Sequence, residues 1–165
     1  MSHPYDLLTL DNGASLIFTP CPGTKDAGLA GSVSTLKQAG AVAVISTVTP
    51  EEMIKLDVAN LGDEIQAQEL TWFTLPIEDD CAPAEDFDAA FTKTKQQIMS
   101  LIDDKCTLAI HCRGGSGRTG LVAAIIMLEQ GLAWPKVKSR IQALRPKTLI
   151  VPAHLEYLAK HYAIS

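Results

Sequence analysis

The decapeptide HCRGGSGRTG, residues 111–120, places one thiol, two guanidinium groups and four glycines between an apolar run and a helix-forming run. A loop that leads from a strand into a helix N-terminus turns its backbone N–H groups inward and adds the positive end of the helix dipole, so it binds anions. Gly114, Gly115 and Gly117 are expected to provide the positive φ angles and the close backbone approach that such a cradle needs. The decapeptide therefore predicts an anion-binding loop.

Two kinds of anion loop compete for this pattern. A nucleotide-binding P-loop reads G-x-x-x-x-G-K-[ST]. Here Cys112 stands five residues before Gly117, where that motif needs glycine, and Arg118 stands where it needs lysine. The nucleotide interpretation therefore fails at two residues.

Cys112 and Arg118 together suit the transfer of a phosphoryl group. The planar fork of Arg118 matches two phosphoryl oxygens, and Cys112 can attack the phosphorus from below. Inward N–H groups, a helix N-terminus and a nearby guanidinium all favour the thiolate. The loop that binds the anion is therefore expected to activate the cysteine as well.

The pattern H-C-x-x-G-x-x-R-[ST]-G resembles the signature of the cysteine-dependent protein tyrosine phosphatases, including their dual-specificity group. The matching residues are His111, Cys112, Gly115, Arg118, Thr119 and Gly120. The resemblance implies hydrolysis of a phosphomonoester through a phosphocysteine, with no metal and no cofactor. It implies that Thr119 donates a hydrogen bond to the cysteine sulfur and that His111 orients the loop. The expected phosphate-binding residues are Arg113, Gly114, Gly115, Ser116, Gly117 and Arg118.

The same family uses an aspartate on a separate loop to protonate the leaving oxygen, commonly four residues before a proline. In LPIEDDCAP, Asp79 lies four residues before Pro83 and Asp80 lies three before it, so Asp79 is the expected general acid. The alternative is that Glu78, Asp79 and Asp80 are only a solvated loop that caps the next helix.

The whole chain is most similar to the cyclin-dependent-kinase-associated phosphatase branch, through CPGTKDAGLAGSVSTLKQAG and LPIEDDCAPAEDF. It departs from the family in one respect. Family members often carry a glutamine after the catalytic helix that positions the hydrolytic water, and residues 143–165 contain none. His154 is a candidate for that role or a structural residue, and the positioning of the water stays open.

Strand and helix patterns alternate along the chain. The expected strands are SLIFT, AVAVIST, ELTWFTLPI and TLAIH. One helix is expected in AGLAGSVSTLKQAG, one after the Thr49 N-cap and Pro50, and three more at about 118–130, 135–144 and 152–163. A long amphipathic helix is expected at 83–103, with its apolar face formed by Phe87, Phe91, Ile98 and Leu101. This order predicts one α/β domain over residues 1–165, with a mostly parallel sheet of four to five strands flanked by helices. The decapeptide lies at the carboxyl end of a strand, where such sheets bind ligands.

The composition is that of an ordinary globular protein, with 165 residues, 47% hydrophobic and 20% charged. No basic n-region and no run of eighteen apolar residues occurs, so a soluble cytoplasmic protein without a membrane span is expected. The four cysteines show no C-x-x-C spacing and are expected to be free thiols. Cys21, Cys81 and Cys106 are candidate partners for an oxidised Cys112.

The net charge of −5 is divided unevenly, because residues 1–111 carry −11 and residues 112–165 carry +6. The acidic total argues against a nucleic-acid partner. The basic last third is either a solvated surface, formed by Lys136, Lys138, Arg140 and Lys147, or a positive face around the glycine loop. The expected partner is a phosphorylated protein or another phosphomonoester, and the oligomeric state stays open. The alternative function is a phosphate-binding interaction module of the same fold.

Overall fold

The computed structural model describes residues 3–164, which form one five-stranded sheet and seven helices. The strands are β1 (Asp6–Thr9), β2 (Ser15–Thr19), β3 (Ala41–Ser46), β4 (Thr71–Thr74) and β5 (Thr107–His111). The helices are α1 (Gly28–Gln38), α2 (Pro50–Lys55), α3 (Leu61–Ala67), α4 (Glu85–Asp103), α5 (Gly117–Glu129), α6 (Trp134–Leu144) and α7 (Pro152–His161). The predicted α/β class is confirmed.

The sheet has the strand order β1-β2-β5-β3-β4, with β5 at its centre. β5 pairs in parallel with β2 and β3, and β4 pairs in parallel with β3, so the predicted mostly parallel sheet is confirmed. His111, the last residue of β5, lies in register with Thr19 of β2 and Ser46 of β3. Three strands therefore end at one edge, and the glycine loop leaves the sheet there.

Each face of the sheet is covered by helices. Phe18 and Ile110 face a cluster that contains the buried side chains of α4 and α5, whereas Ile17 and Ala109 face a second cluster with α1 and α3. Full burial of a side chain of this size stabilises the fold by about 1.5–3 kcal/mol. Every residue of α5 from Arg118 to Met127 is buried. The helix that follows the loop is thus fixed on all sides, and it anchors the end of the loop.

Two elements were missed in the sequence. The edge strand β1 pairs antiparallel with β2, and the turn between them contains Asn12 and Gly13, which has φ of +97°. Asn-Gly between apolar segments is a strong hairpin signal and predicts this turn. Helix α3 is short and packs through Gly62, where a Cβ would come within 2.2 Å of the Trp72 ring.

The buried face of α4 differs from the prediction at one position. Ile102 is fully buried, and Leu101 is only half-buried. Ile102 lies four residues after Ile98, so the helical period brings these two side chains to the same face. The other predicted core residues of α4, Phe87 and Phe91, are buried as expected.

The start of α2 follows the predicted capping pattern. Thr49 has extended backbone angles, and its hydroxyl accepts a hydrogen bond from the Glu52 N–H at 3.2 Å, while Pro50 opens the helix. This cap fixes the first turn of α2, which carries Glu52. Among the described helices, none combines the length and apolar character that crossing a membrane requires.

Candidate active site

The thiol of Cys112 lies in the first turn of the glycine loop and is almost completely buried. Its sulfur accepts two hydrogen bonds, from the Gly115 N–H and from the Thr119 hydroxyl, both at 3.2 Å. Donors aimed at sulfur stabilise a thiolate more than a thiol. The structure thus places Thr119 against the sulfur, in the position that the family resemblance implies.

Gly115 is the loop position where only glycine fits. Its φ is +84°, and a Cβ there would come within 2.6 Å of the Thr19 carbonyl carbon. The expectation of positive φ angles at Gly114 and Gly117 was wrong, because neither residue has one and a Cβ at either would meet open space. Of these three glycines only Gly115 packs against the end of β2, so the requirement for glycine is confined to that residue.

The outer side of the loop is supported by residues that follow α6. The Arg145 Nε–H donates to the Gly115 carbonyl at 3.1 Å, and the Thr148 hydroxyl donates to the Ser116 carbonyl at 3.0 Å. These contacts hold two loop carbonyls away from the side on which an anion would bind. Sequence reasoning missed both residues, since they lie about thirty positions away and form no motif with the loop.

His111 is completely buried, and its ring joins the loop to the neighbouring strand. Nδ1 lies 3.0 Å from the Cys112 carbonyl and therefore donates to it, which leaves Nε2 to accept from the Ser46 hydroxyl at 2.6 Å. The Trp72 Nε1–H donates to the same hydroxyl at 2.8 Å. This chain of hydrogen bonds fixes the neutral tautomer of His111 and the direction of the Cys112 carbonyl.

The neutral state of His111 makes stability depend on pH. Burial lowers the pKa of His111 from 6.5 to about 4, against the opposing effect of its hydrogen bond to the Cys112 carbonyl. Between pH 4 and pH 6.5, the unfolded chain binds a proton at His111 that the folded chain does not bind. The contribution of His111 to the free energy of unfolding is therefore fully present above pH 6.5 and is lost as the pH falls toward 4. Between pH 7.5 and pH 5.0, the free energy of unfolding should fall by about 2 kcal/mol through His111 alone.

Urea unfolding of the wild type and of His111→Gln at these two pH values measures that contribution. Burial also lowers the pKa of His3 and His154, so both chains should lose stability in acid, but the variant should lose about 2 kcal/mol less. Equal losses in the two chains would show that the ring of His111 is not held neutral in the folded protein.

Arg118 is only 2% exposed and is held by Glu52 of α2. Its Nη1 and Nη2 atoms donate to the two carboxylate oxygens at 2.6 and 2.8 Å, and Nη1 also donates to the Ile77 carbonyl at 3.0 Å. Burial opposes the charge of Arg118, but the hydrogen bonds to Glu52 and the charges of Cys112, Glu52 and Asp79 together outweigh it, so the pKa of Arg118 lies above its ordinary value. The same hydrogen bonds lower the pKa of Glu52.

This arrangement leaves one edge of the guanidinium for a ligand. Of the five N–H groups of Arg118, three are used by Glu52 and Ile77, and the Nε–H and one Nη2–H remain on the same side. Two parallel donors on one edge match two oxygens of a phosphoryl group. Glu52 thus positions Arg118. Sequence reasoning missed it because the two residues are 66 positions apart.

The segment between β4 and α4 brings Asp79 to the same place. The Asp79 carboxylate lies 3.6 Å from Nη2 of Arg118, with its side chain 61% exposed. Asp80 has φ of +61° and lies outside the cavity that Asp79 lines. The first turn of α4 has no side-chain cap, so the capping role considered for these acids is not observed.

A cavity of about 470 Å³ lies above the loop. It is lined by Thr24, Lys25, Leu56, Asp79, Cys112, Arg113, Gly114, Ser116, Gly117 and Arg118. The predicted nucleophile, guanidinium and acid therefore share one cavity with most of the predicted phosphate-binding loop. Sequence reasoning did not identify Thr24 and Lys25, which lie between β2 and α1, or Leu56, which follows α2, because none of them belongs to a motif.

His154 lies outside that lining and is fully buried. Its Nε2 donates to the Cys81 carbonyl at 3.0 Å, and its buried Nδ1 has no partner among the described residues. His154 thus connects the start of α7 to the segment that carries Asp79. His154 thus has the structural role that was the alternative for this residue, and it does not contact the glycine loop.

The other cysteines lie at very different distances from Cys112. Cys21 is fully buried, and its N–H donates to the Arg113 carbonyl at 3.0 Å. Burial, with a smaller contribution from the Glu52 carboxylate, raises the pKa of Cys21 to about 12. Cys81 is exposed, and Cys106 precedes β5, about 20 Å from Cys112 at the rise of a strand. Of the three candidates, Cys106 is too distant to form a disulfide with Cys112.

The basic residues of the last third lie mostly away from the cavity. Lys136 and Arg140 of α6 both bind Asp11 in the turn before β2, and Arg145 binds Asp6 of β1. The positive face that was one alternative for these residues is therefore only partly present. The cations around the cavity are those of the loop itself, together with Lys25.

Residues 29–154 match the family model described as Swiss Army Knife protein, DSP-PTPase phosphatase domain. The chain belongs to this family of cysteine-dependent dual-specificity and tyrosine phosphatases, and Cys112 is its catalytic cysteine. The resemblance to the dual-specificity group is therefore confirmed. No curated protein matches the chain.

Solved phosphatase structures have the same fold. A kinase associated phosphatase, with serine substituted for its catalytic-site cysteine, is 22% identical with a TM-score of 0.84, covering 98% of this chain and 94% of that chain. Tk-PTP in its active form is 21% identical with a TM-score of 0.68, covering 88% and 89% of the two chains. Human DUSP28 is 19% identical with a TM-score of 0.65, covering 98% and 95%. The expected likeness to the kinase-associated branch thus holds at the level of the fold.

Proposed function

We propose that this phosphatase domain, extending over residues 1–165, hydrolyses phosphomonoesters with Cys112 as nucleophile, Arg118 as ligand of the phosphoryl oxygens and Asp79 as acid and base. The observation that carries the proposal is that these three side chains line one cavity, with a free edge of Arg118 among them. Arg113, Gly114, Ser116 and Gly117 line the same cavity and, with Gly115, complete the proposed phosphate cradle.

In the first step, the Cys112 thiolate attacks phosphorus in line with the leaving oxygen. The S–P bond forms, the P–O bond breaks, and protonated Asp79 gives its proton to the departing oxygen. The loop N–H groups and the two remaining donors of Arg118 stabilise the charge on the equatorial oxygens. The products of this step are an alcohol or phenol and a phosphocysteine.

In the second step, a water molecule attacks the phosphorus of the phosphocysteine while Asp79 takes a proton from that water. The S–P bond breaks and phosphate leaves, with the sulfur departing as the thiolate. The Thr119 hydroxyl, at 3.2 Å from the sulfur, eases that departure by hydrogen bonding to the developing charge. His111 orients the loop through the Cys112 carbonyl.

Hydrolysis of a generic aryl phosphate, measured with and without a chelator, tests this function. We expect turnover that EDTA leaves unchanged and that acid quenching traps as a phosphoenzyme on Cys112. The second candidate, a phosphate-binding module, predicts vanadate binding without turnover. Activity that EDTA abolishes and a divalent metal restores would contradict the cysteine mechanism.

A phosphorylated protein or a smaller phosphomonoester is the proposed substrate class, and the net charge of −5 disfavours nucleic acid. We place the activity in the cytoplasm. The four cysteines are free thiols, as is typical of proteins in reducing compartments.

A further inference from the structure

Two cations that line the cavity lack a carboxylate partner. Lys25 and Arg113 both line it, and neither takes part in any ion pair within residues 3–164. Burial lowers the pKa of His3, and the charge of Lys25 lowers it further.

The backbones that carry these two cations are joined. The Cys21 N–H donates to the carbonyl of Arg113 at 3.0 Å, and the Thr24 hydroxyl donates to the Cys21 carbonyl at 2.6 Å. Between them Gly23 has φ of +89°, so the chain turns sharply just before Lys25. The turn therefore brings Lys25 to the cavity that Arg113 also lines.

The cavity is larger than the hydrolysed phosphate needs. Its volume of about 470 Å³ lies in the range of sites that hold a whole small ligand, and a phosphoryl group fills only a small part of it. The cradle already supplies Arg118 and the loop N–H groups to that phosphate. The Arg113 side chain is not among these donors, so its guanidinium and the Lys25 ammonium are additional charges, available to another part of the substrate.

The groove next to the cavity has the other sign of charge. It shares Asp79 and Arg113 with the cavity and carries four carboxylates, Glu51, Glu52, Glu78 and Asp79, against two cations. An anionic membrane surface laid over the cavity would meet these carboxylates and be repelled. A substrate free in solution can instead place its negative group inside the cavity, where Lys25 and Arg113 are the cations besides Arg118.

We propose that Lys25 and Arg113 form a second anion subsite. The substrate is then a water-soluble phosphomonoester that carries a further phosphate or carboxylate beside the phosphate that is hydrolysed. This inference rests on the proposed function, because the subsite is defined relative to a phosphate bound over Cys112.

The test compares two matched pairs of aryl phosphates, 3- and 4-carboxyphenyl phosphate against the corresponding carboxamides. For each protein, the measured quantity is the ratio of kcat/KM between carboxylate and carboxamide, so effects common to both substrates cancel. In Lys25→Gln, the ratio for the better-placed isomer should fall about fivefold, the size of a partly exposed ion pair. The double variant with Lys25→Gln and Arg113→Gln should lower this ratio further. In the wild type, the preference for the carboxylate substrate should shrink at 0.5 M salt, because the Debye length is then only about 4 Å.

Lys93→Gln is the matched control, since Lys93 is an exposed residue of α4 outside the cavity, and it should leave the ratio at the wild-type value. Turnover of all four substrates with the same ratio in wild type and in Lys25→Gln would overturn the subsite while leaving the phosphatase function in place. Lack of turnover of every aryl phosphate would instead overturn the proposed function. Faster hydrolysis of a phosphoinositide in vesicles than of its water-soluble headgroup would overturn the assignment to a soluble substrate.

Discussion

Cys112→Ser should abolish hydrolysis and keep oxyanion binding. A serine hydroxyl is a poor nucleophile at neutral pH, yet it occupies the same place and accepts the same hydrogen bonds. The Gly115 N–H and the Thr119 hydroxyl, each 3.2 Å from the sulfur, remain in position, and Arg118 remains held by Glu52. We expect kcat/KM for an aryl phosphate to fall by more than about a thousandfold.

Calorimetric titration with vanadate or phosphate measures the second half of this prediction. Binding to the serine variant at an affinity close to that of the wild type would show that the cradle survives. Cys106→Ser is the matched control, because Cys106 lies at the other end of β5 and should retain activity. Residual turnover above about a thousandth of the wild type would remove Cys112 from the role of nucleophile.

The parts of the site that could be predicted from the sequence are those encoded by contiguous residues. The proposed nucleophile, the proposed phosphate-binding guanidinium and the hydroxyl that faces the sulfur all fall within one decapeptide. Its placement between an apolar strand and an apolar helix predicts a strand–loop–helix unit, and that unit brings the three groups together. Asp79 needed one further relation, its spacing to a proline, and the structure brings it to 3.6 Å from Arg118.

The residues that were missed act through tertiary contacts. Glu52 meets Arg118 only because α2 follows β3, and the sheet order places β3 beside β5. Ser46 reaches His111 for the same reason, through the register of these two strands. Lys25 comes from the other neighbour of β5, in the segment after β2.

These contacts depend on which strands are neighbours, and hydrophobic periodicity does not specify strand order. Hydrophobic periodicity also often fails to identify short strands and helices. The four residues of β1 and the seven of α3 provide only about two repeats of their patterns, whereas α4 displays its pattern over about five turns.

The last prediction separates Asp79 from Asp80. If Asp79 must be protonated while Cys112 is ionised, kcat/KM should depend on pH as a bell, rising as the thiol or substrate ionises and falling as the acid loses its proton. Asp79→Asn removes the proton donor and keeps the size of the side chain beside Arg118. It should lower kcat/KM by about 10²- to 10⁴-fold and flatten the alkaline limb.

The loss should shrink for aryl esters with acidic leaving groups, because these depart with less protonation. Asp80→Asn is the matched control. It changes the same functional group one residue away, and asparagine tolerates the left-handed conformation found there, with φ of +61°. It should cost far less activity, since Asp80 does not line the cavity. A greater loss in Asp80→Asn than in Asp79→Asn would show that the acid lies one residue later. If neither variant loses activity, another group must protonate the leaving oxygen, and the likeness to the family would end at the phosphate cradle.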